Sequence, residues 1–233
     1  MAIVDCRNVI KTYHQGKVSV RALRGVTLAI DEGGFVAIAG PSGSGKTTLL
    51  NLIGGLDSAD SGTIVVDGRE FSELSRSDVA ELRLRRIGFV FQAYNLVPVL
   101  SAVENVEYVM LLQGVPRAER RQRATGILEE VGLGDMLDRR PAELSGGQQQ
   151  RVAVARAIVS NPALVLADEP TANLDSKTGE ALLDMMRELN EHRKVTFVFS
   201  THDRMVMEHA RRLVSIHDGQ ITRDEERQGE SPS

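Results

Sequence analysis

The sequence lacks several features that mark common classes of protein. Its 233 residues include one cysteine, Cys6, which cannot form an internal disulfide and has no metal-ligand spacing around it. We therefore expect Cys6 to be a small buried residue on the first strand. The low cysteine content is typical of a protein from a reducing compartment. The N-terminus, MAIVDCRNV, has no charged leader followed by a long apolar run, so no signal peptide is predicted. Because no 18 apolar residues run together, a membrane role would require a partner.

An excess of basic charge is also missing. The chain carries 28 Lys and Arg against 32 Asp and Glu, a formal net charge of -4, so we expect no nucleic-acid partner. Two short basic clusters, at 83–86 and 117–123, are interpreted as solvated helix faces. The hydrophobic content of 42% is enough for one substantial core, with or without an attached subdomain.

Two kinds of apolar segment alternate along the chain. Short runs rich in β-branched residues and flanked by turn signals predict strands: 3–10, 35–40, 62–68, 87–92, 163–170, 195–202 and 212–221. Longer stretches with helical spacing predict helices at 47–53, 77–84, 102–113, 117–130, 148–160, 176–192 and 204–211. The alternation predicts an α/β fold with a mostly parallel sheet.

One region departs from this alternation. Residues 93–160 show several helical patterns and no convincing strand, which indicates a helical subdomain inserted into the α/β core of a single domain, 1–222. The tail after Thr222, RDEERQGESPS, is charged and ends in Gly, Ser and Pro. Residues 223–233 are therefore predicted to be disordered.

A glycine-rich stretch between a predicted strand and a predicted helix matches the phosphate-binding pattern G-x-x-x-x-G-K-[ST]. Its glycines let backbone N–H groups turn inward around phosphate oxygens, and the helix N-terminus adds partial positive charge. Lys46 would supply a full charge to the outer phosphates, and the Thr47 hydroxyl would bind Mg²⁺. The stretch comprises Gly40, Pro41, Ser42, Gly43, Ser44, Gly45, Lys46, Thr47 and Thr48.

Paired carboxylates follow another predicted strand, LVLA. A buried strand that ends in two acids is costly unless a metal ion or a proton transfer uses them. We expect Asp168 to hold Mg²⁺ and Glu169 to polarise the attacking water as general base. Together with the glycine-rich stretch, this pair predicts a Mg-nucleotide hydrolase.

A second helix start with glycines lies at LSGGQ, 144–148. With the first glycine-rich stretch, FVFQ, LADEP, ANLD and STHD in this order, it resembles the ATPase subunit of an ATP-binding-cassette (ABC) transporter over about residues 3–222. The resemblance implies a P-loop NTPase (RecA-like) core, an N-terminal antiparallel β part and a head-to-tail dimer. In such a dimer the signature residues Ser145, Gly146, Gly147 and Gln148 would contact ATP on the P-loop of the second copy.

The resemblance implies roles for four further residues. Gln92 matches the Q-loop glutamine, which reaches Mg²⁺ or the attacking water, and His202 matches the switch histidine that orients the general base. Asp175 matches the D-loop acid at the dimer interface, and Tyr13 matches the aromatic residue that stacks on adenine. No catalytic position departs from the family pattern, so the resemblance implies two competent ATP sites in a homodimer.

Within the family the chain looks like the lipoprotein-release and macrolide-exporter ATPases. This group implies a separate integral-membrane permease that docks a short helix beside the apolar stretch 93–115, at the cytoplasmic face of the inner membrane. Export or extrusion of a lipoprotein, peptide or lipid-like cargo is expected. The alternative is a cell-division ATPase that regulates cell-wall hydrolases without transport.

Two other classes that share the signature chemistry fit less well. Chromosome-maintenance ATPases carry a long coiled coil between the two motifs, and 48–144 contains no sustained heptads. Translation-associated ABC proteins normally carry two cassettes, and this chain has one.

Overall fold

The computed structural model describes residues 1–16 and 18–227 as ten strands and seven α-helices. The strands are β1 Ala2–Gln15, β2 Val18–Asp31, β3 Phe35–Ala39, β4 Ser61–Val66, β5 Arg69–Glu70, β6 Ile87–Val90, β7 Leu164–Asp168, β8 Thr196–Thr201, β9 Arg212–His217 and β10 Gln220–Glu226. The helices are α1 Lys46–Ile53, α2 Arg76–Arg86, α3 Ala102–Leu112, α4 Arg117–Glu130, α5 Gly146–Ile158, α6 Ser176–Arg193 and α7 Arg204–His209.

The larger sheet has six strands in the order β10-β9-β3-β8-β7-β6. All its pairs are parallel except β9 with β10. Every residue of β3 and β8 is buried, as expected for strands covered on both faces. The predicted α/β class with a mostly parallel sheet is therefore confirmed.

The smaller sheet is antiparallel and N-terminal, with the order β2-β1-β4-β5. Its strand β2 was not among the predicted strands. The segment VSVRALRGVTLAID alternates in both halves, but Arg24 and Gly25 interrupt the pattern between them, and only the second half alternates in burial. Backbone pairing with β1 along nearly the whole length of β2 stabilises a strand that the local sequence pattern did not predict. Cys6 lies fully buried on β1, as predicted.

Three helices, α3, α4 and α5, lie between residues 93 and 160, and no strand of the described chain falls in that range. Their buried faces meet in one apolar cluster that includes Val106, Leu128 and Val152. The cluster continues to β7 and α6 through Val165 and Leu183. The predicted helices are present, and the division into an α/β core and an inserted helical subdomain stays a prediction.

The predicted disorder after Thr222 is wrong for Arg223–Glu226, which belong to β10. The segment predicted as one strand, 212–221, is instead β9, an Asp218-Gly219 turn and the start of β10. Both turn residues have positive φ, as tight hairpin turns require. Pairing with β9 and the ion pair between Arg212 and Asp224, 2.7 Å, order a charged strand without an apolar face. Residues 228–233 lie outside the described residues.

Candidate active site

A cleft of about 650 Å³ lies at the carboxyl ends of the parallel strands. The loop after β3 brings Lys46, the end of β7 brings Asp168 and Glu169, and the segment after β8 brings His202. Loops that follow neighbouring parallel strands meet at one sheet edge, where open α/β sheets bind ligands. The structure therefore brings together predicted residues that range along the sequence from Ser42 to His202. The lining consists of Val20, Arg21, Ala22, Arg24, Ser42, Gly43, Gly45, Lys46, Thr47, Thr48, Gln92, Asp168, Glu169, His202, Asp218 and Gly219.

The glycine-rich loop turns sharply from β3 into α1. Gly45, the residue before the helix, has φ 106, a conformation that L side chains rarely adopt. A Cβ there would also overlap the Ala22 carbonyl oxygen and the Leu23 side chain. Within the described residues no side chain caps this helix start, so its first amides have no protein acceptor by position. They can bind an anion.

Lys46 is the clearest indication of what the loop binds. Its side chain is buried, at 6% exposure, and its Nζ donates to the carbonyl oxygens of Gly40, 2.7 Å, and Pro41, 3.0 Å. In the part of the chain that the structure describes, no carboxylate pairs with it. A buried ammonium group held by neutral oxygens alone is costly. Phosphate oxygens in the cleft would supply the missing negative charge.

The Thr47 hydroxyl lies 3.2 Å from each carboxylate oxygen of Asp168. A hydroxyl and a carboxylate are hard oxygen donors, the type that Mg²⁺ prefers. The two residues fit the metal position predicted for them, at the edge of the cleft beside the glycine-rich loop.

Glu169 and His202 form a hydrogen-bonded pair, with the His202 Nδ1 2.7 Å from Glu169 Oε1. The Thr201 hydroxyl donates to the other carboxylate oxygen at 3.3 Å. The backbone of Glu169 has φ 46, a left-handed conformation that is strained for glutamate and is found disproportionately at functional sites. The hydrogen bond from its N–H to the Ser200 carbonyl, 2.9 Å, holds it there. The carboxylate is thus fixed at the end of β7, facing the cleft.

Gln92 lines the same cleft from the loop after β6. Its main-chain carbonyl oxygen accepts a hydrogen bond from Asn173 Nδ2, 2.8 Å. Further along the same loop, Tyr94 and Asn95 both have positive φ. The Arg156 guanidinium on α5 donates hydrogen bonds to the main-chain carbonyl oxygens of Tyr94, 2.9 Å, and Asn95, 2.5 Å. This loop is therefore tied both to α5 and to the segment before α6.

Tyr13 lies at the margin of the cleft. It is 40% exposed and is not itself among the lining residues of the described chain, although its cross-strand neighbour Val20 is. Its hydroxyl donates to Asp57 Oδ2, 2.9 Å. An exposed ring at this position is available to a flat base.

The LSGGQ segment lies away from this cleft, since none of its residues belongs to the lining described above. Ser145 is the N-cap of α5 and exchanges hydrogen bonds with Gln148: its Oγ accepts from the Gln148 N–H at 3.3 Å, and its N–H donates to Gln148 Oε1 at 2.9 Å. The amides of Gly146 and Gly147 follow this cap without an intrahelical acceptor. The structure places the predicted signature residues at an exposed helix start, outside the chain's own cleft.

Asp175 also lies outside the cleft and caps α6. Its carboxylate accepts from the Thr178 hydroxyl, 2.6 Å, and from the Thr178 N–H, 3.0 Å. These hydrogen bonds lower the pKa of Asp175 below its ordinary value. The role predicted for it at a dimer interface remains a prediction.

Sequence reasoning missed several residues of the cleft. Arg21 and Arg24 reach it from β2, a strand that was not predicted, and Asp218 reaches it from the β9–β10 turn. The Asp-Gly pair in HDGQ was a usable turn signal. Nothing local in the sequence connects that turn with the glycine-rich loop, whereas the structure joins them through a hydrogen bond from the Gly219 N–H to the Ser44 carbonyl, 2.9 Å.

Comparison with known proteins identifies the group to which this arrangement belongs. The protein-family model described as "ABC transporter" matches residues 23–172. The lipoprotein-releasing system ATP-binding protein LolD of Pseudomonas fluorescens is 46% identical over 220 residues, which cover 94% of this chain and 97% of that protein. The macrolide export ATP-binding/permease protein MacB of Brucella melitensis is 47% identical over 222 residues. That match covers 95% of this chain and 34% of the longer MacB protein.

Among solved structures, the dimeric ATP-binding cassette MJ0796 in a post-hydrolysis state bound to ADP and Pi superimposes with a TM-score of 0.89. It is 43% identical, and the match covers 97% of this chain and 99% of that one. The resemblance to the lipoprotein-release and macrolide-exporter ATPases is confirmed at the level of sequence similarity. The chain therefore belongs to the ABC transporter family, as one of its ATP-binding and ATP-hydrolysing cassettes.

Proposed function

We propose that two copies of this chain bind two ATP molecules between them and that hydrolysis drives a separate membrane permease. The observation that carries the proposal is the buried, carbonyl-bound Lys46 in one cleft with Asp168, Glu169 and His202. The dimeric MJ0796 cassette bound to ADP and Pi supports the paired arrangement. A cassette of the cbiONQ transporter complex that covers 97% of this chain at 28% identity supports a permease partner.

In this proposal each residue of the cleft has a separate task. Lys46 and the amides of the glycine-rich loop bind the β- and γ-phosphates, and Tyr13 contacts the adenine. Thr47, Asp168 and Gln92 would hold Mg²⁺, which neutralises charge on the phosphate oxygens when bound. The fit rests on the hydroxyl and carboxylate oxygens that Thr47 and Asp168 place together.

Glu169 accepts a proton from the attacking water, whose oxygen forms a bond to the γ-phosphorus. The bond from that phosphorus to the β–γ bridging oxygen breaks, and ADP and inorganic phosphate leave. His202 holds the Glu169 carboxylate through the 2.7 Å hydrogen bond. The Ser145 hydroxyl and the Gly146 and Gly147 amides of the second copy complete the contacts to the γ-phosphate, and Asp175 lies at the interface between copies.

A second groove, of about 460 Å³, supports the permease interaction. It lies between the end of α2, the loop after β6 and α3, and it continues from the Gln92 loop through Phe91 and Asn95. Most of its lining is apolar, and Leu56 and Leu112 are exposed at 46% and 57%. An apolar groove of this kind fits the apolar face of a short amphipathic helix. Among the described residues no helix is both long and apolar enough to cross a membrane.

The relatives LolD and MacB favour a lipoprotein, peptide or lipid-like cargo moved outward from the cytoplasmic face of the inner membrane, to which this chain would bind through its permease. A cell-division ATPase would use the same cycle without cargo. The identity of the permease distinguishes these two functions.

Affinity purification from membranes in mild detergent tests the proposal. We expect the wild-type chain to recover an integral-membrane protein together with Mg²⁺-dependent phosphate release. Leu112→Asp, which places a charge in the groove, should lose that protein, whereas Leu111→Asp should retain it. Leu111 is a matched control because it is 50% exposed and does not line the groove. Equal recovery by both variants would contradict the groove as the docking site.

A further inference from the structure

The side chain of Asp57 joins two residues of β1. Its Oδ1 accepts a hydrogen bond from Lys11 Nζ, 2.8 Å, and its Oδ2 accepts one from the Tyr13 hydroxyl, 2.9 Å. Lys11 and Tyr13 flank a register irregularity of β1 between Lys11 and Thr12, and their side chains meet at this carboxylate. One carboxylate therefore fixes the tip of the Tyr13 side chain against a neighbouring lysine.

Lys11 is built into this arrangement and is not a flexible surface residue. It is 8% exposed, and its Nζ donates a second hydrogen bond to the Ser58 carbonyl, 2.7 Å. The same nitrogen lies 5.1 Å from the centroid of the Tyr13 ring, within the range of a cation–π interaction. The lysine thus contacts both the acceptor of the Tyr13 hydroxyl and the ring itself.

The anchor connects Tyr13 to the phosphate-binding helix. Asp57 lies four residues after the end of α1, which begins at Lys46, and the Leu56 and Asp57 N–H groups donate back to the Asn51 carbonyl, at 2.8 and 3.3 Å. The position of the ring is therefore set by the same element that carries the glycine-rich loop.

The ionisation states at neutral pH suit this anchor. Burial and the hydrogen bond to Asp57 raise the pKa of Tyr13, so its hydroxyl stays a donor. Burial opposes ionisation of Asp57, but the hydrogen bonds from Lys11, Ser58 and Tyr13 outweigh it and lower the pKa of the carboxyl. An ionised acceptor and a protonated donor face each other throughout the physiological range.

We propose that Lys11 and Asp57 are positioning residues that hold the Tyr13 ring where a purine base stacks, so that they determine how strongly the cleft prefers ATP to a base-free triphosphate. This inference rests on the proposed contact between Tyr13 and adenine. Neither residue needs to touch the nucleotide. A freed ring would spread over several rotamers, and stacking would then have to restrict it again at an entropic cost.

Titration calorimetry with MgATP and with magnesium tripolyphosphate separates the base contact from the phosphate contacts. Tyr13→Phe keeps the ring and removes only its hydrogen bond, so ATP should bind about 3- to 10-fold more weakly. Asp57→Ala should have a similar effect, and tripolyphosphate affinity should stay within about twofold in both variants. Because both changes break the hydrogen bond between Tyr13 and Asp57, the double variant should lose no more ATP affinity than Asp57→Ala alone, which also removes an acceptor of Lys11.

Asp60→Ala is the matched control. Asp60 belongs to the same loop and accepts a hydrogen bond from the Thr12 N–H on the same strand, 2.6 Å, but it does not contact the Tyr13 hydroxyl. Its ratio of ATP to tripolyphosphate affinity should match wild type. A thermal melt of each variant verifies folding. If Asp60→Ala changed the ratio as much as Asp57→Ala does, the inference would be wrong, because general loosening of the loop would then explain the effect.

Two further results separate the inference from the function on which it rests. If Tyr13→Ala lost the preference for ATP while Tyr13→Phe and Asp57→Ala kept it in full, the ring would contact the base without needing its anchor, and the inference would be overturned. If the wild-type chain bound tripolyphosphate as tightly as ATP, the adenine contact itself would be absent. Both the proposed role of Tyr13 and the inference about its anchor would then be rejected.

Discussion

The two glycine-rich helix starts of this chain differ in how much of an anion site each provides alone. At the start of α1, Gly45 has φ 106 and no side-chain cap is present among the described residues. The cationic Lys46 lies beside the loop and is held by two carbonyl oxygens. This helix start has both free amides and a full positive charge, so a single copy of the chain can bind phosphate there.

The start of α5 is built differently. Ser145 and Gln148 cap it within the chain, and its two glycines allow close packing and do not require positive φ. A Cβ on Gly146 would come close to the Tyr94 hydroxyl, and one on Gly147 would overlap the Thr178 methyl group. Among the described residues no lysine is held by hydrogen bonds at this helix start as Lys46 is at the first, so it can assist binding but does not replace the first site. We call the start of α1 the principal site and the start of α5 the proposed contributing site.

The largest expected effect is on phosphate release, and it comes from changing Glu169, whose carboxylate lies beside the principal site. Glu169→Gln removes the general base while keeping the size of the side chain, so phosphate release should fall on the order of 10²- to 10⁴-fold. ATP binding should persist, and MgATP should hold the variant as a dimer in size-exclusion chromatography. Glu188→Gln, on the exposed face of α6, should retain activity. Normal turnover in Glu169→Gln would contradict its assignment.

Ser145→Arg tests whether the contributing site acts on the γ-phosphate. A large cation at the cap should disrupt the contacts from this helix start to the γ-phosphate on the facing copy, and hydrolysis should fall on the order of 10²-fold, while ATP affinity of the monomer measured by calorimetry stays unchanged. Ser75→Arg is the control, since Ser75 caps α2 with the same type of reciprocal bonding to Asp78. Both variants should lose about 0.5–2 kcal/mol of stability, but only Ser145→Arg should lose turnover.

The packing requirement at the contributing site can be tested with Gly147→Ala. Its methyl group would overlap the Thr178 methyl, so the free energy of unfolding should fall by about 1–3 kcal/mol. Thr178→Ser removes that methyl and keeps the hydroxyl that bonds Asp175, so the double variant should recover most of the loss in chemical denaturation. At Gly43, where φ is +79 and no atom lies near a Cβ, no neighbour exists whose truncation could rescue an alanine. A Gly147→Ala variant as stable as wild type would show that the glycine is not needed for packing.

The smallest expected effect concerns Asp175, whose carboxylate caps α6 and accepts hydrogen bonds from Thr178. Hydrogen bonds from Thr178 lower the pKa of Asp175, so the ionised form stabilises the fold above its unfolded pKa, about 3.9. That contribution disappears as pH falls through the lower folded value. Asp175→Asn should therefore melt slightly below wild type between pH 6 and 8, and the difference should close below about pH 4. A gap that widened on acidification would contradict the direction of the shift.

The residues predicted for the principal site lie together in one cleft because they sit at the ends of buried parallel strands. Each group of predicted residues follows a strongly apolar run, and parallel strands place such ends together. These groups are the glycine-rich loop with Lys46 after β3, the paired acids at the end of β7 and His202 after β8. The exposed side of the site was not predictable in the same way. Strand β2 has a mixed pattern around Arg24 and Gly25, and its order comes from pairing with β1.

The anchor of Tyr13 shows the same limit. Tyr13 and Asp57 are 44 positions apart, and neither lies in a pattern that would connect them. The disorder predicted for Arg223–Glu226 failed for a related reason, because local composition does not reveal the ladder and the cross-strand ion pair that β9 supplies.

Mixing two inactive variants tests most directly whether each ATP is bound by both copies. Lys46→Ala impairs the principal site, and Ser145→Arg impairs the contributing site. In a mixed dimer, the intact P-loop of the Ser145→Arg copy would face the intact signature of the Lys46→Ala copy, and an equimolar mixture should recover about a quarter of wild-type phosphate release, because half of the dimers are mixed and each has one intact site. If the mixture stayed as inactive as each variant alone, the two glycine-rich helix starts would not share a nucleotide across the dimer.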